Sequence, residues 1–243
     1  MDGQWLVKEP KSHAGVRLFC LPYAGGSASI YRSWQGVAPR HIQVCALELP
    51  GRERLIGQDP FMRITALVRA IADSIEAAPH RRFALFGHSM GGLIAFELAR
   101  TLRDRGGPQP AHLFVSATAA PGTPLVGPLV ARATDEELRT KLRDLNGTPP
   151  ELLEDEELMA LILPMFRADC SVLENYEYRE EPPLAVPITV FAGTSDAIVQ
   201  PSDLDGWRCQ STAGTRLHVI PGDHFFIHSA STDVMRVIAR ALD

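Results

Sequence analysis

The stretch Arg81–Arg100, RRFALFGHSMGGLIAFELAR, changes character in its middle. Its first half, Phe83–Phe86, is a short apolar run with two aromatic side chains, which is typical of a strand buried on both faces of a parallel sheet. Its second half predicts a helix packed against that strand, because apolar side chains recur there at helical spacing: Leu93, Ile94, Phe96, Leu98 and Ala99. Ser89 therefore lies on a strand-to-helix turn.

The turn matches the pattern G-x-S-x-G through Gly87, Ser89 and Gly91. In this pattern the serine occupies a strained turn, and the glycines let neighbouring backbone pass without a Cβ clash. The alternative is that Ser89 only caps the following helix. Because a serine hydroxyl is a poor nucleophile at neutral pH, the nucleophile hypothesis requires a histidine base and a group that orients it.

Strand-like and helix-like segments alternate along the chain. The strand-like runs are Val16–Leu21, Ile42–Leu47, Phe83–Phe86, Leu113–Ser116, Ile188–Ala192 and Arg216–Ile220, and the helix-like segments are Ile64–Ala77, Gly91–Arg105, Pro201–Trp207 and Thr232–Leu242. This alternation predicts an α/β class with a mostly parallel central sheet flanked by helices. With Ser89 included, we expect one domain over residues 1–243 with the α/β-hydrolase fold.

The alternation stops between residues 122 and 183, where we expect a helical lid insertion. Two segments, TDEELRTKLRDL and EDEELMALILPMFRADCSVLENYEY, have the pattern of amphipathic helices, with Thr134 and Asp135 near a helix start. Their apolar stripe consists of Leu138, Leu142, Leu158, Leu161, Ile162, Met165 and Phe166. The stripe can close a small core within the insertion, border the active site, or do both.

Chain order selects the base. In α/β-hydrolases the histidine follows the nucleophile and the acid, which sets aside the histidines that precede or lie far upstream of the last strand: His13, His41, His80, His88 and His112. His218 lies within the last strand and His228 near the terminal helix, whereas His224 falls in the loop directly after that strand. We predict His224 as the base, with His228 as the main alternative.

Asp196 is the predicted orienting acid, because it follows the strand Ile188–Ala192 by a few residues. The preceding strand and its loop, LFVSATAAPGTP, contain no acidic residue. Asp223 is adjacent to His224 and would not easily bend back onto that ring, so we interpret it as a turn former. Asp196 is expected to hold the imidazole tautomer and stabilise the imidazolium.

An oxyanion hole needs two backbone N–H donors. Met90, directly after the nucleophile, is one. Ala24, in the loop that follows the first strand, is the preferred second donor, with Tyr23 or Gly25 as alternatives. A phosphate-binding loop at this place is not favoured, since no Lys-Ser/Thr pair follows it and GxGxxG is absent.

The composition excludes several function classes. A net charge of -5 and a pI near 5.9 give no electrostatic reason to bind nucleic acid or an anionic membrane. The first residues lack the apolar core of a signal peptide, and no apolar run reaches about 18 residues, so we expect a cytoplasmic protein. The four cysteines are scattered without metal-ligand spacing and are interpreted as buried free thiols, with neither disulfides nor zinc: Cys20, Cys45, Cys170 and Cys209.

Six motifs together resemble the type II thioesterases, the stand-alone α/β-hydrolases of polyketide and nonribosomal peptide synthesis. The motifs are LPYAGGSA, ELPGRERL, FALFGHSMGG, FRAD, AGTSD and GDHFF, and they span residues 21–226. The family's elbow often reads G-H-S-M-G-A, whereas position 92 here is Gly, a change not expected to alter the chemistry. The residues alone leave three interpretations of Arg52 and Arg54 in the second motif: they are solvated, they pair with Glu53, or they bind a phosphate or an acidic carrier.

The resemblance implies hydrolysis of acyl thioesters on phosphopantetheine arms of acyl or peptidyl carrier proteins, removing aberrant or stalled acyl units. It also implies insertion helices that cover an acyl chamber. We expect a monomer that uses no cofactor or metal of its own. Two alternatives remain at this point: a carboxylesterase with the same catalytic groups, and a non-catalytic acyl-binding scaffold on a hydrolase fold.

Overall fold

Six parallel strands form the central sheet of the computed structural model, which describes residues 15–77, 82–124, 132–145 and 150–243. In chain order they are β1 (Val16–Leu21), β2 (Ile42–Ala46), β3 (Phe83–His88), β4 (Leu113–Ser116), β5 (Ile188–Gly193) and β6 (Thr215–Ile220). Their order in the sheet is β2-β1-β3-β4-β5-β6, and every neighbouring pair is parallel. The predicted sheet is confirmed, with strand ends shifted by one or two residues.

The helices of the described residues are α1 (Trp34–Val37), α2 (Ile64–Glu76), α3 (Met90–Asp104), α4 (Asp135–Leu145), α5 (Pro150–Leu153), α6 (Glu156–Glu174), α7 (Phe226–Ser229) and α8 (Ser231–Leu242). The segment predicted as a helix over Pro201–Trp207 is a 3₁₀ helix over Pro201–Gln210. Gly206 in its middle disfavours a regular α-helix.

Alternate side chains of the strands enter two separate cores. Phe19 and Leu21 of β1 pack with α2 and α3 on one face of the sheet. Leu18 and Cys20 pack on the other face with Trp34 of α1 and with α8. All six residues of β1 and of β3 are buried, as expected for central strands covered by helices on both faces.

The helices between β4 and β5 have an apolar core of their own. It contains Leu138 and Leu142 of α4, Leu153 of α5, and Met159, Leu163, Phe166 and Cys170 of α6. The predicted helix start is confirmed, because Thr134 and Glu137 bond reciprocally at the N-terminus of α4. The prediction that Leu161 belongs to the apolar stripe is wrong, because this side chain is 56% exposed. Leu161 lies two residues after the buried Met159 and therefore on the opposite face of α6.

Parts of the sequence predictions fall outside the described residues: His13, His80, and the ranges 125–131 and 146–149 of the predicted insertion. Within the described ranges, none of the helices combines the length and the apolar character needed to cross a membrane. Cys20, Cys45 and Cys170 are buried free thiols as predicted. Cys209 is exposed, which corrects that prediction, because it lies near the end of a surface 3₁₀ helix.

Candidate active site

Ser89 lies on the sharp turn between β3 and α3. Its backbone angles, φ 53° and ψ −118°, fall in a region that L-residues rarely adopt, and such strain costs about 1–3 kcal/mol. The turn requires its glycines: a Cβ on Gly87 would lie 1.9 Å from the Gly91 carbonyl oxygen, and one on Gly91 would lie 2.2 Å from that of Leu21. The Ser89 side chain makes no capping bond to α3, so the turn is not explained by helix capping.

Asp196 and His224 are brought together from the loops that follow β5 and β6. The Nδ1 atom of His224 lies 2.9 Å from Oδ2 and 3.1 Å from Oδ1 of Asp196, and both side chains are buried. A carboxylate accepts hydrogen bonds, so Nδ1 carries the proton and Nε2 has a lone pair in the neutral ring. This is the tautomer that a general base needs.

Local bonds fix the Asp196 carboxylate. Its Oδ1 accepts hydrogen bonds from the N–H groups of Ile198 and Val199 at 2.8 and 3.0 Å. Burial by itself would raise the pKa of this carboxyl, but the His224 ring and the two N–H donors outweigh it and hold the pKa below its usual value. Asp223 accepts from the Phe225 N–H at 2.9 Å, as expected of a turn former.

The other histidines considered as bases have different partners. The Nε2 atom of His228, on α7, lies 3.1 Å from the Tyr23 hydroxyl, and burial lowers the pKa of this ring. His218 lies on β6 with its ring 6.0 Å from that of Phe191. Asp196 faces His224, not these two.

His88, which chain order set aside, ties the base loop to the turn. Its ring is fully buried, with Nε2 2.8 Å from the His224 carbonyl oxygen and Nδ1 2.9 Å from the Ser116 hydroxyl. The carbonyl can only accept, so Nε2 is the donor. Burial is the main cause that holds the pKa of His88 well below its usual value, so the ring is neutral and Nδ1 accepts from Ser116.

The loop after β1 limits the choice of an oxyanion donor. The Gly25 N–H donates to Oδ2 of Asp169 at 2.8 Å, and the Gly26 N–H donates to the Tyr23 carbonyl at 2.9 Å. Gly25 is therefore excluded as a donor in this geometry, which leaves Ala24 and Tyr23. Met90 is the first residue of α3, and an N–H in the first turn of a helix has no acceptor within that helix.

The charged residues of the LPGRERL segment pair differently from the sequence interpretations. Arg52 is 4% exposed and pairs with Asp169 of α6, at 2.7 Å between Nη2 and Oδ1. Arg54 pairs with the buried carboxylate of Glu48, at 2.7 Å, and Glu53 accepts from a serine hydroxyl. Pairing with Glu53 is thus wrong for both arginines, because the turn points these side chains to different neighbours. Burial also removes Arg52 as a contact for a carrier.

Comparisons with known proteins identify the family of this chain. The thioesterase-domain family model matches residues 16–242. GrsT, a gramicidin S biosynthesis protein of Aneurinibacillus migulanus, is 40% identical over 240 residues, which are 98% of this chain and 94% of that protein. The structure of BorB, a type II thioesterase from the borrelidin biosynthetic cluster, matches with a TM-score of 0.90 and 34% identity, over 100% of this chain and 99% of that one.

RedJ, a thioesterase from the prodiginine biosynthetic pathway of Streptomyces coelicolor, matches with a TM-score of 0.88 and 34% identity. The match covers 97% of this chain and 96% of RedJ. The solved structures of these relatives therefore agree with the parallel sheet flanked by helices described above. The chain belongs to the thioesterase family and is a type II thioesterase with the α/β-hydrolase fold.

Proposed function

We propose that this enzyme hydrolyses acyl thioesters held on the phosphopantetheine arms of acyl or peptidyl carrier proteins, removing aberrant or stalled acyl units during polyketide or nonribosomal peptide synthesis. The observation that carries the proposal is the Asp196–His224 pair, anchored through His88 beside the strained turn of Ser89. The pathways named for GrsT and BorB support the choice of substrate. The proposal includes the monomeric state and cytoplasmic location expected from the sequence.

In the proposed mechanism, Ser89 attacks the thioester carbonyl while Nε2 of His224 takes the hydroxyl proton. The N–H groups of Ala24 and Met90 stabilise the negative oxygen of the tetrahedral intermediate. The C–S bond then breaks, and His224 gives its proton to the departing pantetheine sulfur. Water activated by His224 hydrolyses the acyl-serine, which releases a carboxylic acid and restores Ser89.

Asp196 contributes by holding the Nδ1–H of His224 and by stabilising the imidazolium formed during each proton transfer. Its pKa lies below the usual value, so it stays ionised across the working pH range. A side chain or a water molecule carries every proton in these reaction steps, so the proposed chemistry calls for no cofactor or metal.

The helical insertion is proposed to cover the acyl group. Ala24, the proposed donor, packs against the insertion's core as well as against the main core, so the insertion borders the site where the oxyanion forms. The buried residues of α6 mainly support this cover, because Phe166 and Leu163 belong to the insertion's own core.

A panel of substrates tests the function. The enzyme is given acyl groups of equal length on carrier proteins, on a small pantetheine-like thiol and on a small alcohol. We expect kcat/KM to be highest for the carrier-bound thioester. A higher kcat/KM for the oxygen ester would establish a carboxylesterase instead.

Labelling by a fluorophosphonate separates an enzyme from a non-catalytic scaffold. We expect wild type to gain one adduct, Ser89→Ala to gain none, and the control Ser202→Ala, at an exposed serine of the 3₁₀ helix, to label like wild type. Hydrolysis by Ser89→Ala at the wild-type rate would reject Ser89 as the nucleophile, and absence of any adduct on active-site serine in folded wild type would favour the scaffold.

A further inference from the structure

A buried ion pair joins three segments that are far apart in the sequence. Arg52 follows β2, Asp169 lies on α6, and the Tyr23–Gly26 loop follows β1. Both charged side chains are 4% exposed, and Arg52 and Asp169 are 117 residues apart in the chain. The pair therefore lies at the junction of the insertion and the sheet.

The bonds of this pair are directed at the loop. Arg52 donates from Nη2 to Oδ1 of Asp169 at 2.7 Å, and from Nη1 to Oδ2 at 3.0 Å. The same Nη1 atom donates to the Gly26 carbonyl at 2.7 Å, and Oδ2 also accepts from the Gly25 N–H at 2.8 Å. The peptide group that precedes Gly25 is thus held by Asp169, and the one that follows Gly26 is held by Arg52.

Stability alone is a poor explanation for this arrangement. Burying two charges carries a desolvation cost of several kcal/mol per ion, and apolar side chains of similar volume often serve stability as well or better. The Nε atom of Arg52 is buried without a hydrogen-bond partner, which adds to the cost. What an apolar pair could not supply is the direction of the bonds to Gly25 and Gly26.

We propose that Asp169 and Arg52 are positioning residues that orient the Tyr23–Gly26 loop so that the Ala24 N–H meets the oxyanion. This inference rests on the proposed function of Ala24. Ala24 directly precedes the held Gly25, whose φ of 79° already bends the backbone at this point. If the pair is broken, the loop gains freedom at the peptide next to the donor.

The same contacts link the loop to the insertion. Phe166 lies one turn before Asp169 on α6, and its ring is in contact with Gly25, where an added Cβ would lie 3.2 Å from Cδ2. A displacement of α6 therefore moves both the bond to Gly25 and the ring that covers it. The position of the insertion and the geometry of the oxyanion donor are coupled through these two side chains.

The test compares Asp169→Asn with wild type. Asparagine keeps the volume but cannot accept all the bonds that the carboxylate accepts. Arg52→Lys is the second variant, since lysine keeps the charge but lacks the planar fork that holds both Asp169 and Gly26. The control is Glu181→Gln, which weakens another pair with a buried arginine, Arg100 of α3, rather than with the loop.

Each variant is titrated to its end point with a fluorophosphonate, so that kcat is expressed per reactive serine and unfolded protein does not count. KM and the affinity for an acyl trifluoromethyl ketone, which forms a tetrahedral adduct with a negative oxygen, are measured in parallel. We expect kcat and the affinity for the ketone to fall together by about 10- to 100-fold in Asp169→Asn, with KM changed by less than about twofold. Arg52→Lys should show the same pattern and Glu181→Gln should match wild type.

The inference is overturned if titrated Asp169→Asn keeps kcat within about twofold of wild type, or if kcat falls while the affinity for the ketone does not. Should Asp169→Asn fail to fold, the same criteria apply to Arg52→Lys. Failure of the proposed function is a separate result, because it is read from wild type alone: either no thioester turnover and no label at Ser89, or a higher kcat/KM for the oxygen ester.

Discussion

Gly92 follows the G-x-S-x-G turn directly, and its surroundings predict the cost of a larger side chain at this position. A Cβ on Gly92 would lie 2.1 Å from Oγ1 and 3.0 Å from Cβ of Thr118. The Thr118 hydroxyl lies 3.0 Å from the Ser89 carbonyl and 2.9 Å from the Ser116 carbonyl, and it donates its proton to these acceptors. It cannot move away from an alanine without losing those contacts.

The expected cost of Gly92→Ala has three parts. Inserting a methyl group into a packed site costs about 1–3 kcal/mol. Loss of the Thr118 hydrogen bond adds about 1 kcal/mol, and the better helix propensity of alanine returns about 1 kcal/mol. The free energy of unfolding should therefore fall by about 1–3 kcal/mol, or roughly 3–10 °C in Tm for a chain of this size.

A double-mutant cycle with Thr118→Ala isolates the clash. Removing Oγ1 eliminates the 2.1 Å overlap and leaves contacts of 3.0 Å with Cβ of residue 118 and 3.2 Å with the Gly87 carbonyl oxygen, so Gly92→Ala should cost about 1–2 kcal/mol less in that background. The free energies are measured by urea unfolding. Gly36→Ala is the control, because nothing lies within 4 Å of a Cβ at Gly36 of α1, and it should not destabilise the protein.

The steric reasoning is refuted if Gly92→Ala is as stable as wild type, or if its cost is the same with and without the Thr118 hydroxyl. In the first case the turn adapts without strain. In the second case the cost comes from a neighbour other than Thr118, such as the Gly87 carbonyl oxygen, which would lie 3.2 Å from the new methyl group.

Three further outcomes are expected. Asp196→Asn should lower kcat by about 10⁴-fold, because asparagine no longer holds the proton on Nδ1 of His224, whereas Asp223→Asn should keep a kcat close to that of wild type. Both are measured by steady-state kinetics with an acyl thioester, and a larger loss in Asp223→Asn would show that the two roles are exchanged. Phe166→Ala should lower the free energy of unfolding by about 3–5 kcal/mol with an equal proportional loss of kcat/KM across acyl lengths, because its ring lies in the insertion's own core; a change of length preference would place it at the acyl group instead. Burial, and secondarily Arg216, lowers the pKa of His112 from 6.5 to about 4. The folded state therefore resists protonation of His112, and the contribution of this ring to the free energy of unfolding is complete above about pH 6.5 and is lost as the pH falls toward 4. Urea unfolding at pH 7 and pH 5 should show a difference in the free energy of unfolding that is about 2 kcal/mol smaller in His112→Gln than in wild type. An unchanged difference would contradict this prediction.

The sheet and the principal site residues could be predicted because their signals are local. Apolar runs of strand length marked the buried strands, and parallel strands place their carboxyl ends at one edge of the sheet. Asp196 and His224 follow two neighbouring strands, β5 and β6, so the topology alone brings their loops together. The strained turn at Ser89 is encoded within five residues.

The supporting contacts could not be predicted, because they join segments distant in the chain. Arg52 and Asp169 have the charge of surface residues, and only the folded position of α6 beside the loop after β1 buries them together. Leu161 shows the reverse error: its apolar character matched the stripe, but the phase of α6 turns it to solvent. No sequence pattern identified His88 as a partner of the His224 loop, since its role depends on a carbonyl 136 residues away.

Burial of His88 has a consequence for the proposed proton transfers. Its ring centroid lies 5.4 Å from that of His224, which becomes positively charged in the mechanism. A second imidazolium at this distance would oppose that charge, because like charges disfavour ionisation of their neighbours. Desolvation keeps the pKa of His88 low, so the group that anchors the base loop stays neutral while Asp196 on the other side supplies the negative charge. Of the two neighbours, Asp196 therefore stabilises the positive charge formed during turnover, and neutral His88 adds no charge that would oppose it.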